Sequence, residues 1–454
     1  MRVTIIGCGY VGLTTAAALA YIGHRVHCID ANKERVDALN SGRIPIHEAW
    51  LGELISETKG RLSFGLWDTC DAEGSDVIII AVGTPKKNDG GVDLTYVEAV
   101  AEELGRRLSG KSMPLVVNKS TVPVGSAKRV ESVLTLNLRQ RGIDRAVSVA
   151  SNPEFLREGV ALFDTFYPDR IVIGAKDNNA INTLREMYSP ILEQTFIPPD
   201  YLPRPEGYSL PVLLTTTPTS AELIKYAANA FLAMKVSFIN EIAGLSDRVG
   251  ADIKEVARGI GLDKRIGLLY LNAGVGWGGS CFGKDVHALL NTAEQYDYEM
   301  PIVRAVLTVN QRQREEVIRK LQWTLKVIRG SSIGLLGLAF KPGTDDLRDA
   351  PSLSIARRLI DLGAHVKAYD PVAIPSAKAL NPPLEIEFSE TAEALFKDSD
   401  AVVLVTEWKE FSRLPYERLG SLMRRKIIID GRNFLDPSYM KSLGFEYLGI
   451  GRGG

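Results

Sequence analysis

The order of apolar and polar positions divides the chain into alternating short strands and helices. Val3 to Ile6 is an apolar strand, and Gly7-Cys8-Gly9-Tyr10-Val11-Gly12 turns from it into an Ala/Leu-rich helix that reaches Ile22. Gly23 stops that helix, and Arg25-Val26-His27-Cys28-Ile29 is a second strand ending in Asp30. Buried strands are also predicted at Val77 to Val82, Leu115 to Asn118, Val147 to Ala150 and Ile171 to Ile173, with helical stretches between them. Such alternation predicts a doubly wound parallel sheet, with ligands held by the loops that follow the strands. Gly83-Thr84-Pro85, Lys119-Ser120-Thr121-Val122-Pro123 and Ser151-Asn152-Pro153-Glu154-Phe155 occupy such loops.

The pattern breaks over 197–218, a Pro-rich stretch without clear periodicity that reads as an extended connector. Thr219-Ser220-Ala221-Glu222 has the spacing of a capping box, and the helix it opens is predicted to run to about Val249. Its apolar content is high all along, which predicts a central, buried helix. A second strand-and-helix unit begins near Ser331, with strands at Ile333 to Leu336, Val366 to Tyr369, Ala401 to Val405 and Lys426 to Ile429. Gly363-Ala364-His365-Val366 parallels Gly23-His24-Arg25-Val26, since each leads into a strand ending in Asp. The expected fold class is therefore α/β, two Rossmann-like doubly wound domains joined by a long central helix. The expected boundaries are 1–196, a connector at 197–218, a helical domain at 219–330, and 331–454.

Composition narrows the class of protein. At 454 residues the chain is too long for a single core. A net charge of −1 with 24% charged residues gives no footprint for nucleic acid or an anionic membrane. No apolar run is long enough to span a bilayer, and the start of the chain reads as a strand rather than a signal peptide. Cys8, Cys28, Cys70 and Cys281 are scattered, suggesting neither a disulfide framework nor a metal cluster, and a reducing cytoplasmic setting is expected.

Several constellations carry chemistry. The motif at 7–12 stands in the βαβ context that dinucleotide binding requires, with Asp30 at the second strand end. The glycines admit a pyrophosphate to the helix N-terminus, and Asp30 would bond ribose hydroxyls and repel a 2′-phosphate, which favours NAD over NADP. Gly276-Trp277-Gly278-Gly279-Ser280-Cys281-Phe282-Gly283-Lys284-Asp285 places one thiol in a glycine-rich turn beside a cation and a carboxylate. A nearby lysine favours the reactive thiolate; the plain alternative is a tight turn with a small buried Cys. Lys225 and Asn229 share a helix face. They are either solvated or, on a buried helix, in need of a polar partner such as a substrate oxyanion. Glu154 and Glu158 have the same spacing after a strand end, and are better placed to face a cleft than solvent. Lys341 and Arg348 lie on the first strand-to-helix loop of the second unit, where such folds bind phosphates.

Taken together, these residues resemble the UDP-glucose/GDP-mannose dehydrogenase family of nucleotide-sugar dehydrogenases. The resemblance runs through GCGYVG at 7–12, GTP at 83–85, KSTVPVG at 119–125, SNPEFLREG at 151–159, ELIKYAANAF at 222–231, GWGGSCFGKD at 276–285 and FKPGTDDLRDAPS at 340–352. PDRIVIG at 168–174 and TEWKEF at 406–411 lean towards the UDP-glucose branch. The resemblance implies an NAD-binding first domain, a UDP-sugar-binding last domain and a helical dimerisation region between them. It also implies a homodimer or higher homo-oligomer and no metal.

By the same resemblance, Cys281 is the nucleophile, assisted by Lys225, Asn229 and Asp285, while Thr121 and Glu154 position water and oxyanions. Gly7, Gly9, Val11, Gly12, Asp30, Arg35, Thr84, Thr121, Glu158, Lys284 and Arg348 are the implied cofactor residues. The implied sugar-nucleotide residues are Glu154, Phe155, Leu156, Arg157, Glu158, Lys225, Asn229, Tyr270, Leu271, Asn272, Ala273, Gly274, Gly278 and Lys341. To these the resemblance adds Arg265, reaching across a dimer. Gly283 departs from the Pro or Gln of many relatives, a position that varies.

The implied reaction is a four-electron oxidation, UDP-glucose to UDP-glucuronate, through a thiohemiacetal and a thioester on Cys281. Rival substrates are GDP-mannose, UDP-N-acetylglucosamine and UDP-N-acetylmannosamine. A two-electron hydroxyacid dehydrogenase would need no Cys, and a non-catalytic nucleotide-sugar sensor would show no turnover.

Overall fold

In the computed structural model, which describes residues 1–87 and 89–453, the chain forms two compact units, Met1–Ala227 and Ala228–Gly454. The first is built on β1 (Arg2–Ile6), β2 (Arg25–Ile29), β3 (Leu62–Gly65), β4 (Val77–Ile80), β5 (Leu115–Asn118), β6 (Val149–Ser151), β7 (Arg170–Gly174) and β8 (Val212–Thr216). They form one sheet in the order β3-β2-β1-β4-β5-β6-β7-β8. All neighbours are parallel except β6 and β7, which meet antiparallel at Ser151 and Gly174. Strand order reverses between β1 and β4, so the ligand crevice opens beyond their C-terminal ends. The strands are apolar on both faces because helices cover both. Ile5, Cys28, Ile79 and Val117 pack on the helix Tyr10–Tyr21 side, while Ile6, Ile78, Ile80 and Val116 pack with Val100, Leu104, Val130 and Leu134.

The second unit repeats the plan with β9 (Ser332–Leu336), β10 (His365–Tyr369), β11 (Ile386–Phe388), β12 (Ala401–Leu404), β13 (Ile427–Asp430) and β14 (Glu446–Gly449). Their order is β11-β10-β9-β12-β13-β14, all parallel. A long helix, Pro218–Val249, runs through the boundary between the units.

Three expectations need correction. The Pro-rich connector is not wholly outside the sheet, because Val212–Thr216 pairs with Arg170–Gly174 as an edge strand. The capping box does not form: Thr217 Oγ1 accepts from the Ser220 N–H at 3.2 Å, and Glu222 turns away to other partners. The long helix is not buried all round, since Phe231, Phe238, Leu245 and Val249 are exposed. No helix among the described residues is long and apolar enough to cross a membrane.

Candidate active site

The dinucleotide crevice is shaped by what its glycines exclude. A Cβ on Gly12 would stand 1.8 Å from the Gly7 carbonyl oxygen, and one on Gly7 would stand 2.4 Å from that of Ala81. Neither position admits a side chain, so the loop lies tight against the β4 exit. At Gly9, by contrast, a Cβ would meet nothing within 4 Å, and the helix Tyr10–Tyr21 that follows has no side-chain cap. An open backbone at a helix N-terminus is the cradle a pyrophosphate needs, so the residues present fit the dinucleotide. Val11 lies in the first turn of that helix. Asp30 Oδ2 accepts from Cys8 N–H at 2.8 Å and Arg35 at 3.0 Å, and Oδ1 from Asn32 N–H at 2.9 Å. Arg35 thus pairs with the carboxylate at the end of β2. Thr84 Oγ1 donates to the Thr121 carbonyl at 2.9 Å, and Ser120 Oγ to that of Val82 at 2.7 Å, which fixes the start of the 119–125 loop.

The loop after β6 meets the long helix within the same unit. Lys225 Nζ lies 3.1 Å from Glu154 Oε1, both side chains nearly closed to water, and 5.4 Å from the Phe155 ring centroid. Glu154 Oε2 accepts from Leu156 N–H at 2.6 Å. Burial pushes the Glu154 carboxyl up, but the charge and bond of Lys225, the Leu156 N–H and the charge of Lys119 together hold it below the ordinary carboxylate range. The Glu154 carboxylate is therefore ionised near neutrality. Glu154 and Glu158 lie on a loop and not on a helix edge. Arg157 is turned outward onto Asp164, with bonds of 2.6 and 3.0 Å.

In the second unit, Cys281 stands at the N-terminal cap of the helix Phe282–Gln295, where the helix dipole favours an anionic sulfur. Its neighbour Ser280 has its hydroxyl 3.3 Å from the sulfur. Asp285, one turn on and 1% exposed, accepts from Asn229 Nδ2 and from Lys284 Nζ, each at 2.6 Å. Asn229, Lys284 and Asp285 thus form one cluster at the first turn of the helix that Cys281 caps.

The turn itself is locked. Gly276 and Gly279 have φ of +94° and +89°. A Cβ on Gly278 would stand 2.2 Å from the Asp349 carbonyl oxygen. Asn310 brackets Trp277, accepting from its N–H at 2.9 Å and donating to its carbonyl at 3.0 Å, and Trp277 Nε1 donates to Ser237 at 3.0 Å. Arg432 donates to the carbonyls of Gly276, Val405 and Phe340 at 3.1, 2.7 and 3.2 Å, tying the turn to loops at the C-terminal end of the second sheet.

The remaining sugar-nucleotide candidates divide. In 270–274, Leu271, Ala273 and Gly274 are buried and Asn272 is exposed, with Gly274 N–H held by Asn240 at 2.8 Å. Lys341 is half-buried after the strand β9. Arg265 is almost fully exposed and forked onto Asp263 at 2.6 and 3.0 Å, and Arg348 is forked onto Asp346 at 2.8 and 2.9 Å.

Sequence reasoning missed the supporting residues Asn240, Asn310 and Arg432, and the buried network in which Lys119 Nζ reaches Asn152 at 3.1 Å and Tyr188 at 3.4 Å. Arg432 had a usable signal, since it lies two residues past the end of β13, a ligand-side position in such sheets. Asn240, Asn310 and Tyr188 sit within helices and look like ordinary polar positions, while Lys119 and Asn152 lie in strand-end loops whose mutual contact no local pattern encodes.

A doubled Rossmann plan with a dinucleotide crevice in one unit and a capped thiol in the other defines a class of NAD-dependent dehydrogenases. Residues 1–192 match the NAD binding domain of the UDP-glucose/GDP-mannose dehydrogenase family, 219–312 its central domain and 334–437 its UDP binding domain. The chain belongs to that family. It is 44% identical to a UDP-glucose 6-dehydrogenase of Pseudomonas aeruginosa, over 100% of this chain and 98% of the relative. It is similar to the structure of a UDP-glucose dehydrogenase from Pyrobaculum islandicum, with a TM-score of 0.86 and 39% identity over 99% of this chain and 97% of that one. A UDP-D-ManNAc dehydrogenase from Pyrococcus horikoshii is similar at a TM-score of 0.84 and 27% identity, over 100% of both chains.

Proposed function

We propose that this chain oxidises UDP-glucose to UDP-glucuronate, with Cys281 as a covalent nucleophile. The observation that carries the reading is Cys281 at a helix N-terminus backed by the Asn229–Asp285–Lys284 cluster, in a chain 44% identical to a UDP-glucose 6-dehydrogenase.

The 7–12 loop and Asp30 would hold NAD, which when bound would accept one hydride, so the two oxidations consume two NAD in turn. Cys281 adds to the aldehyde carbon, forming a carbon–sulfur bond, and the carbonyl oxygen takes a proton. Oxidation of that adduct leaves a thioester. Water attacks it, the carbon–sulfur bond breaks, and the thiolate is regenerated with the acid. Lys225 and Asn229, as cationic and amide donors, stabilise oxygen as it becomes negative. Asp285, with Thr121, orders water and moves protons. Glu154, kept ionised by Lys225, holds that lysine charged and in place. Lys341 and the 270–274 segment hold the diphosphate and uridine.

The exposed residues of the long helix support a homodimer. Phe231, Phe238 and Leu245 recur every seven residues, so the stripe is complementary to its own copy under twofold symmetry. A reducing cytoplasm suits a Cys281 whose sulfur is in no disulfide.

The test is NADH release across a panel of UDP-glucose, GDP-mannose, UDP-N-acetylglucosamine and UDP-N-acetylmannosamine, with product mass measured. Two NADH per UDP-glucose and a uronic acid product are expected. One NADH, or a clear preference for another sugar, overturns the reading.

A further inference from the structure

Glu222 is a buried carboxylate that the reaction does not use, and its partners come from far along the chain. Its Oε2 accepts from Gly125 N–H at 2.7 Å, and its Oε1 from Ala127 N–H at 2.8 Å and Ser151 Oγ at 3.0 Å. The helix Ser126–Gln140 has Gly125 as its cap, with φ of +93° and no side-chain cap of its own. Glu222 therefore supplies that cap from the long helix, placing a carboxylate where the helix dipole favours one.

Three residues further on, Lys225 meets Glu154, which lies three residues beyond Ser151. Glu222–Ser151 and Lys225–Glu154 are thus two parallel ties between the same helix face and the same loop. The start of the helix is also pressed onto β7, where a Cβ on Gly174 would stand 2.6 Å from Ala221 Cβ and 2.8 Å from Pro218 Cα. The loop 119–127 is fixed at its start by Ser120 and Thr84 and at its end by Glu222.

We propose that Glu222 is a positioning residue for the oxidation, setting the turn of the long helix that carries Lys225 against Glu154. The inference rests on the function proposed above. Glu222→Gln keeps the volume but sets an amide N–H₂ against one of the two backbone N–H donors, so that bond is lost. Glu222→Ala removes all three bonds of the carboxylate.

The experiment compares both variants with wild type in hydrogen exchange and kinetics. Exchange at Gly125 and Ala127 should quicken about tenfold or more in Glu222→Ala, where both amides lose their acceptor, and at one of the two in Glu222→Gln. The turnover number, per titrated active site, should fall about tenfold or more with KM for NAD little changed, as misplacing a catalytic lysine costs rate and not dinucleotide affinity. In a Lys225→Met background, adding Glu222→Gln should lower turnover less than about twofold, since the strut acts through that lysine. Unchanged exchange overturns the proposal. So does faster exchange with unchanged turnover per site, or full additivity with Lys225→Met. A wild type inactive on UDP-glucose sinks the proposed function instead; exchange then decides whether the strut exists, and kinetics move to whichever sugar nucleotide is oxidised.

Discussion

Lys225 and Glu154 form an ion pair of 3.1 Å in which both charges are closed to water. Removing one member of such a pair costs more than the pair contributes, because the other stays buried without compensation. Lys225→Met should lower stability by about 3–5 kcal/mol at neutral pH. The loss should depend on pH. In wild type the Glu154 carboxyl is held below its ordinary value, so its contribution is present above the unfolded carboxylate pKa and lost as pH falls through the folded one. In the variant burial dominates and raises the carboxyl, so the folded state binds the proton and gains as pH falls. The gap between the two chains should therefore narrow from pH 8 to pH 5, by urea unfolding. A gap that does not change with pH would show that Glu154 is not charged in the folded protein.

Cys281→Ser should lower formation of the acid by about a thousandfold or more, because a serine alkoxide is far less available and its ester far less readily hydrolysed than a thioester. The measurement is uronic acid by mass spectrometry alongside NADH release. Near-normal acid from this variant would sink the covalent route.

Cofactor choice should follow Asp30. Wild type should prefer NAD over NADP by about a hundredfold, roughly 3 kcal/mol, from a charged hydrogen bond kept and a 2′-phosphate repelled. Asp30→Ala frees Arg35, now 3.0 Å from that carboxylate, to meet the 2′-phosphate, so the preference should shrink at least about tenfold. Equal kcat/KM for the two cofactors in wild type would refute the assignment.

Arg265 is almost fully exposed and paired with Asp263 on its own turn, a posture suited to reaching another copy. Mixing Cys281→Ala chains with Arg265→Ala chains should restore about a quarter of the sites after random reassortment, since each mixed dimer has one site with both residues intact. Differently tagged chains verify exchange. Confirmed exchange without activity would place Arg265 within its own site or outside any.

Legibility followed the range of the interactions. The 7–12 loop could be read because its glycines answer a local demand, the approach of Gly12 to Gly7. The central strands could be read because both faces are covered and the runs are continuously apolar. The edge strands β3, β8, β11 and β14 escaped, being short or half-exposed with polar residues on them. Glu222 was misread for a different reason. Its spacing from Thr219 satisfies a local rule, while its actual partners are backbone donors of a distant helix, and no local pattern encodes them. The Cys281 turn was legible as chemistry, but the side chains that clamp it, Asn310 and Arg432, come from a helix and from a loop of the second sheet.

The glycines around Cys281 also set the mutational tolerance of the loop. At 276, 278 and 279 any side chain would collide with Asn310 Oδ1 at 2.5 Å, the Asp349 carbonyl oxygen at 2.2 Å and the Phe340 ring at 2.7 Å. At Gly283 the nearest atom is the tip of Asp349, at 3.2 Å, which can swing aside. A library randomised at all four positions and selected for turnover should return glycine at the first three and a mixture at the fourth. Tolerance to substitution in this loop should thus be confined to the side of the thiol where the helix begins.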